Sequence, residues 1–199
     1  MLVIGTPCQI AGIKQYLVHR RLNCEHAIFC DLLCHGVQSP RLGQDYMTSI
    51  EEKYKRKISF ITFKDKTLGW LNPQAFARME NKTITLLELK RVLFSDAVMR
   101  PACHSCTYKS TERVSDITIG DFWGVDKIYP SLYDRNGVSI VMINTEKGHN
   151  FFEEAKSELC WQEIRIQDCK QPSVLSSTPP TKWRKQFWKH YNKKLYYLM

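Results

Sequence analysis

An α/β fold, with a mixed sheet, βαβ units and flanking helices, is the class this sequence predicts, and three observations carry it. Leu2 to Gly5 is a short apolar run closed by Thr6-Pro7. From Gln9 to Leu22, Ile10, Ile13, Leu17 and Leu22 recur at helical spacing. A second apolar run, Ala27 to Leu33, then ends at Cys34-His35-Gly36. Strand, helix and strand in that order make a parallel crossover, so both strands end at the same edge of the sheet. Cys8 and Cys34 fall just past those ends, which predicts cysteine-bearing loops at one sheet edge.

The remaining elements follow in order. Ser39-Pro40 offers an N-cap and a proline at the first helical position, so another helix starts there. Ile58 to Lys64 alternates as a strand does, and Ala75 to Met79 with Thr83 to Leu86 forms a hairpin about Asn81. Leu87 to Val98 has helical spacing, and Arg100-Pro101 breaks the chain into a loop carrying Cys103-His104-Ser105-Cys106. Ile117 to Ile119 is a short strand leading into Gly120-Asp121-Phe122-Trp123-Gly124. Val138 to Asn144 reads as a buried strand after the Asn136-Gly137 turn, and a helix runs from Gly148 to about Leu159. Residues 171–180, rich in Ser, Thr and Pro, form a linker before a basic, aromatic C-terminal helix over the remainder of residues 171–199. One domain over residues 1–170 is expected before it. Because Met1 stands directly before a central strand, that domain is expected to be the C-terminal part of a longer architecture, or to have the rest supplied by a partner.

Composition bounds the function. The chain has 199 residues, 43% of them hydrophobic, enough to bury a core without covalent staples. No apolar run is long enough to span a bilayer and the N-terminus lacks the pattern of a signal peptide, so a cytoplasmic protein is expected. Eight cysteines in a reducing compartment point to metal or redox chemistry rather than to disulfides. The net charge of +9 is concentrated in the tail, where Lys182, Arg184, Lys185, Lys189, Lys193 and Lys194 alternate with aromatic residues. Trp183, Phe187 and Tyr191 recur at helical spacing there, favouring a packed amphipathic face over a membrane or single-strand nucleic-acid surface. No base-reading motif accompanies the charge.

Cys103-x-x-Cys106 alone fits a zinc half-site, an iron-sulfur half-site or a dithiol redox pair. Cys8 and Cys34 extend it to four thiols, although each is also compatible with a small buried hydrophobe. Four thiolates accept zinc or a cubane cluster, and spacing does not separate the two. Cys24, Cys30, Cys160 and Cys169 read as packing residues. His35 and His104 adjoin candidate ligands and suit hydrogen bonding to them. Asp121, framed by two glycines and two aromatics after a strand, suits a cofactor-facing loop.

Gly5-Thr6-Pro7-Cys8-Gln9, Cys34-His35-Gly36, Cys103-x-x-Cys106-Thr107-Tyr108 and Asp116-Ile117-Thr118-Ile119-Gly120-Asp121-Phe122-Trp123-Gly124 together resemble one family. It is the beta subunit of coenzyme F420 hydrogenase and dehydrogenase, with similarity running from Met1 to about Leu159. The resemblance implies an iron-sulfur flavoprotein: Cys8, Cys34, Cys103 and Cys106 as ligands of a [4Fe-4S] cluster, and residues Gly120 to Gly124 near the cluster and FAD. It further implies Lys64 and Trp70 on the substrate side, a hydride acceptor such as coenzyme F420, and a redox partner protein. Relatives usually carry a further flavin-binding segment before the Gly-Thr-Pro-Cys motif, so flavin retention by these residues alone is an open expectation. The competing expectation is a zinc-stabilised binding module with four cysteine ligands and no catalysis.

Overall fold

The computed structural model describes residues 1–169, 171 and 175–191. In chain order its elements are β1 (Leu2–Gly5), α1 (Pro7–His19), β2 (Ile28–Leu32), α2 (Pro40–Tyr54), β3 (Ile58–Asp65), β4 (Gln74–Met79) and β5 (Lys82–Thr85). They continue with α3 (Leu87–Leu93), α4 (Pro101–His104), β6 (Ile117–Asp121), α5 (Val125–Ile128), β7 (Ser139–Ile143), α6 (Glu146–Ala155) and α7 (Arg184–Tyr191). Two compact units divide the chain. The first comprises the described residues of Met1–His35 and Cys106–Ser177, the second those of Gly36–Ser105 and Thr178–Met199.

The first unit is built on a mixed sheet in the order β1-β2-β6-β7. β1 and β6 both run parallel to β2, and β7 runs antiparallel to β6. Thr6 caps α1, Pro7 occupies its first turn, and the Thr6 N–H donates to Gln9 Oε1 at 2.9 Å. The helix therefore starts at Pro7, immediately after the strand, and stops at His19 rather than Leu22, with Arg21 in the left-handed region at φ 52°. Ile10 is buried against Ala27 and Phe29, with Leu17 partly covered beside them, while Ile13 and Leu22 lie exposed. A core is made where the helix faces the sheet, and the periodic pattern extends past it. The strand expected to be buried, β7, is an edge: Ile140 is buried while Val141 and Ile143 are exposed, as one covered face of an antiparallel edge strand requires. Thr145 caps α6 by accepting from the Gly148 N–H at 3.1 Å.

The second unit holds an antiparallel sheet in the order β3-β4-β5, with Asn81 at φ 57° in the β4–β5 turn. Ile50 of α2, Leu86 and Leu89 of α3 pack with Ala75, Ala77 and Met79 of β4. The helix expected to reach Val98 ends at Leu93; Asp96, at φ 62°, turns the chain so that Val98 and Met99 are buried and Met99 bridges to Gln38. α7 packs Phe187, Trp188 and Tyr191 against Leu42, Ala97 and Val98. Arg184 and the Trp188 indole both donate to the Ala97 carbonyl, at 2.8 and 3.1 Å. The covered face thus includes Trp188 in place of the expected Trp183, which is exposed. Lys193, Lys194, Tyr196 and Tyr197 lie outside the described residues.

Candidate metal and cofactor site

The register of the parallel pair places Gly5 opposite Asp31. Cys8 and Cys34 are each the third residue beyond those partners, so both follow the same end of adjacent strands. Cys8 does not sit in a loop: Pro7 starts α1 at once, leaving the thiol exposed in the first helical turn, with Thr6 Oγ1 3.3 Å from its Sγ. Cys34 is half-buried in the irregular segment after β2, and Cys106, also half-buried, belongs to the same unit.

Cys103 belongs to the second unit and sits in α4, which Pro101 initiates, where a loop was expected. Its Sγ accepts the Val37 backbone N–H at 3.4 Å, the kind of donor that tunes a coordinating sulfur. The adjoining His104 has Nδ1 2.9 Å from the Thr178 carbonyl, so Nδ1 donates. Its Nε2 is buried without a hydrogen-bond partner. His35 is exposed, and its carbonyl accepts from Lys109 Nζ at 2.6 Å.

All eight cysteines are unbridged by disulfides. Among the described residues no group of three or more His, Cys, Asp or Glu side chains is gathered as a metal site. The motif thiols are unbridged by disulfides, and within the second unit the Cys103 sulfur accepts a backbone N–H. The other cysteines divide. Cys30 and Cys169 are buried, and burial followed by the charge of Asp31 or Asp168 pushes each thiol up, as befits packing residues. Cys24 is half-buried, whereas Cys160, read from the sequence as packed, is exposed.

In the Gly120–Gly124 segment each residue has a distinct environment. A Cβ at Gly120 would meet Leu33 Cβ at 2.6 Å, so close packing demands the glycine. Asp121 closes the β6–β7 ladder opposite Ser139, and its carbonyl accepts Gln171 Nε2 at 2.8 Å. Phe122 is 2% exposed with its ring 6.3 Å from Tyr129, whereas Trp123 is 43% exposed. Gly124, at φ 92°, precedes α5. In the second unit Lys64 is exposed on edge strand β3 and Trp70 is buried.

A set of buried charges beside the cysteines escaped the sequence reading. Asp31 and Arg113 form an ion pair at 2.7 Å with side chains 0% and 1% exposed. Asp116, also buried, accepts the Phe29 N–H at 2.8 Å and the Thr145 hydroxyl at 2.9 Å, tying β2 and the start of α6 to the entry of β6. The available signal was Asp31 inside the apolar run from Ala27 to Leu33: a charge there needs a partner.

Fold and site together define a mixed α/β protein that carries unbridged motif thiols at the matched ends of parallel strands. Residues 1–168 match the family described as the C terminus of the coenzyme F420 hydrogenase/dehydrogenase beta subunit, and the chain belongs to that family. Among curated proteins none matches. Among solved structures, the chain is similar to one in the xenon-derivatised F420-reducing [NiFe] hydrogenase complex from Methanosarcina barkeri, with TM-score 0.42 and 16% identity. That similarity covers 79% of this chain and 48% of the other, so this chain spans about half the length of its neighbour. No helix among the described residues is long and apolar enough to cross a membrane.

Proposed function

We propose that this chain serves an iron-sulfur flavoprotein, with Cys8, Cys34, Cys103 and Cys106 holding one [4Fe-4S] cluster. The carrying observation is the matched placement of Cys8 and Cys34 beyond the paired Gly5 and Asp31, with unbridged thiols, in a member of this family. When bound, the cluster passes single electrons and FAD converts them to the two-electron steps of a hydride acceptor such as coenzyme F420.

The chain's own residues do the rest. Val37 N–H donates to the Cys103 sulfur, and Thr6 Oγ1, which donates to Gln9 Oε1, lies beside the sulfur of Cys8. His104, its Nδ1 donating to the Thr178 carbonyl, adjoins Cys103, and His35 follows Cys34 directly; both act as polar neighbours of the ligands. Gly120, Asp121, Phe122, Trp123 and Gly124 border the flavin, with exposed Trp123 as the ring available to it. Lys64 and Trp70 lie on the substrate side. The protein works in the cytoplasm beside a ferredoxin-like or hydrogenase-type partner.

The test is iron, acid-labile sulfide and zinc content of the chain purified without oxygen, with visible spectra before and after dithionite. Iron and sulfide near about four per chain, with absorbance that bleaches, are expected. Zinc near about one per chain, with neither iron nor bleaching, overturns the reading in favour of a structural four-cysteine zinc module.

A further inference from the structure

We infer that Lys109 and Arg113 are positioning residues that clasp the Cys106 loop to the Cys34 segment, with Lys109 bringing a buried cation to the backbone next to Cys34; the inference rests on the cluster reading above. The Arg113 guanidinium is committed on both sides of the clasp. Toward the loop, its Nη1 donates to the Tyr108 and Ser110 carbonyls at 3.2 and 3.3 Å. Toward the end of β2, its Nη2 donates to Asp31 Oδ1 at 2.7 Å and the Leu32 carbonyl at 3.3 Å. Its Nε donates to Thr118 Oγ1 of β6 at 3.1 Å, so the fork fixes three segments at once.

Lys109 makes the second fastening. It is only 6% exposed, and its ammonium donates at 2.6 Å to the carbonyl of His35, the residue after Cys34. Lysine is rarely buried to this degree, because desolvating its ammonium is costly. Here Lys109 is three residues past Cys106, and it grips the backbone immediately past Cys34. Arg113 grips that backbone two residues before Cys34, at Leu32. The segment bearing Cys34 is therefore held on both flanks by the loop bearing Cys106. A geometry fixed in this way before a shared ligand arrives lowers the ordering cost of binding it. Cations held in the low-dielectric interior also act with little screening. The Lys109 charge would favour, in a bound cluster, the more negative reduced form, whereas that of Arg113 is offset by Asp31.

The experiment compares the wild-type chain with Lys109→Met and Lys109→Arg, reconstituted anaerobically with iron and sulfide. Lys109→Met is chosen because it leaves the Asp31–Arg113 pair intact; circular dichroism checks each fold. The readouts are the cluster midpoint potential and amide hydrogen exchange over residues 106–113 of the metal-free proteins. Lys109→Met is expected to shift the potential negative and to speed exchange in the loop, and Lys109→Arg to restore both. If the wild type carries iron and all three proteins share one potential and one exchange rate, the inference is overturned while the cluster reading stands. A wild type that takes up no iron removes the cluster reading and the electrostatic half of the inference. Equal exchange in metal-free wild type and Lys109→Met removes the clasp itself.

Discussion

A Cβ on Gly148 would overlap the carbonyl oxygen of Asp116, so α6 begins closer to β6 than any side chain permits. Asp116 itself binds the Phe29 N–H and the Thr145 hydroxyl that caps α6, so helix and sheet are locked at one residue. Gly148→Ala must move backbone rather than a flexible side chain. We expect a loss near the upper end of overpacking costs, about 3 kcal/mol, read as a lowered urea midpoint with an unchanged slope. A wild-type midpoint would show that α6 can shift without cost.

The Asp31–Arg113 pair predicts a non-additive pattern. Arg113→Met leaves a buried carboxylate without its cation, and such single removals cost about 3 to 5 kcal/mol. Asp31→Asn combined with Arg113→Met removes both charges, and most of that loss should return in a double-mutant cycle. Additive losses would mean that the two side chains do not act as a pair. Because Asp31 Oδ2 has no hydrogen-bond partner, the carboxylate depends heavily on the guanidinium at Oδ1.

The cysteines predict a sharp contrast. Cys103→Ala and Cys8→Ala should abolish iron retention by anaerobically purified protein, whereas Cys160→Ala, altering an exposed thiol outside the motifs, should leave iron and sulfide unchanged. The comparison needs only elemental analysis. Equal iron in all three variants would remove the ligand assignment.

How far these features were legible in the sequence depends on how local their cause is. The parallel crossover was readable because Thr6-Pro7 and the apolar runs around it act within a few residues; so was the hairpin about Asn81. Helix ends were less so. Arg21 and Asp96 adopt left-handed conformations without glycine to announce them, so α1 and α3 stop short of their apolar patterns. The edge position of β7 depends on sheet order, a long-range property. At the candidate site, Cys8, Cys34, Cys103 and Cys106 stand in motifs that sequence displays directly. Lys109 and Arg113 do not: Lys-Ser-Thr-Glu-Arg reads as solvated surface, and its burial follows from partners 74 and 82 residues away in the chain.

Cys30 supplies the pH prediction. Its thiol is buried, near the carbonyl of Asp31, and burial followed by the Asp31 charge raises its pKa. In the unfolded chain the group titrates near the ordinary value of about 8.5. Below that value both states hold the proton, and the folded state keeps its full stability. Above it the unfolded chain has released the proton that the native thiol retains, so stability falls as pH rises toward the folded pKa. Cys169, raised for the same reason, adds a slope of the same sign. Urea midpoints from pH 8 to about pH 10 should therefore decline, and Cys30→Ala should flatten part of the decline whatever it costs in overall stability. Iodoacetamide at pH 8 should meanwhile label exposed Cys160 faster than Cys30, by on the order of tenfold or more, in the native chain. Equal labelling would mean that the Cys30 thiol is neither shielded nor held protonated, and the alkaline slope would then need another source.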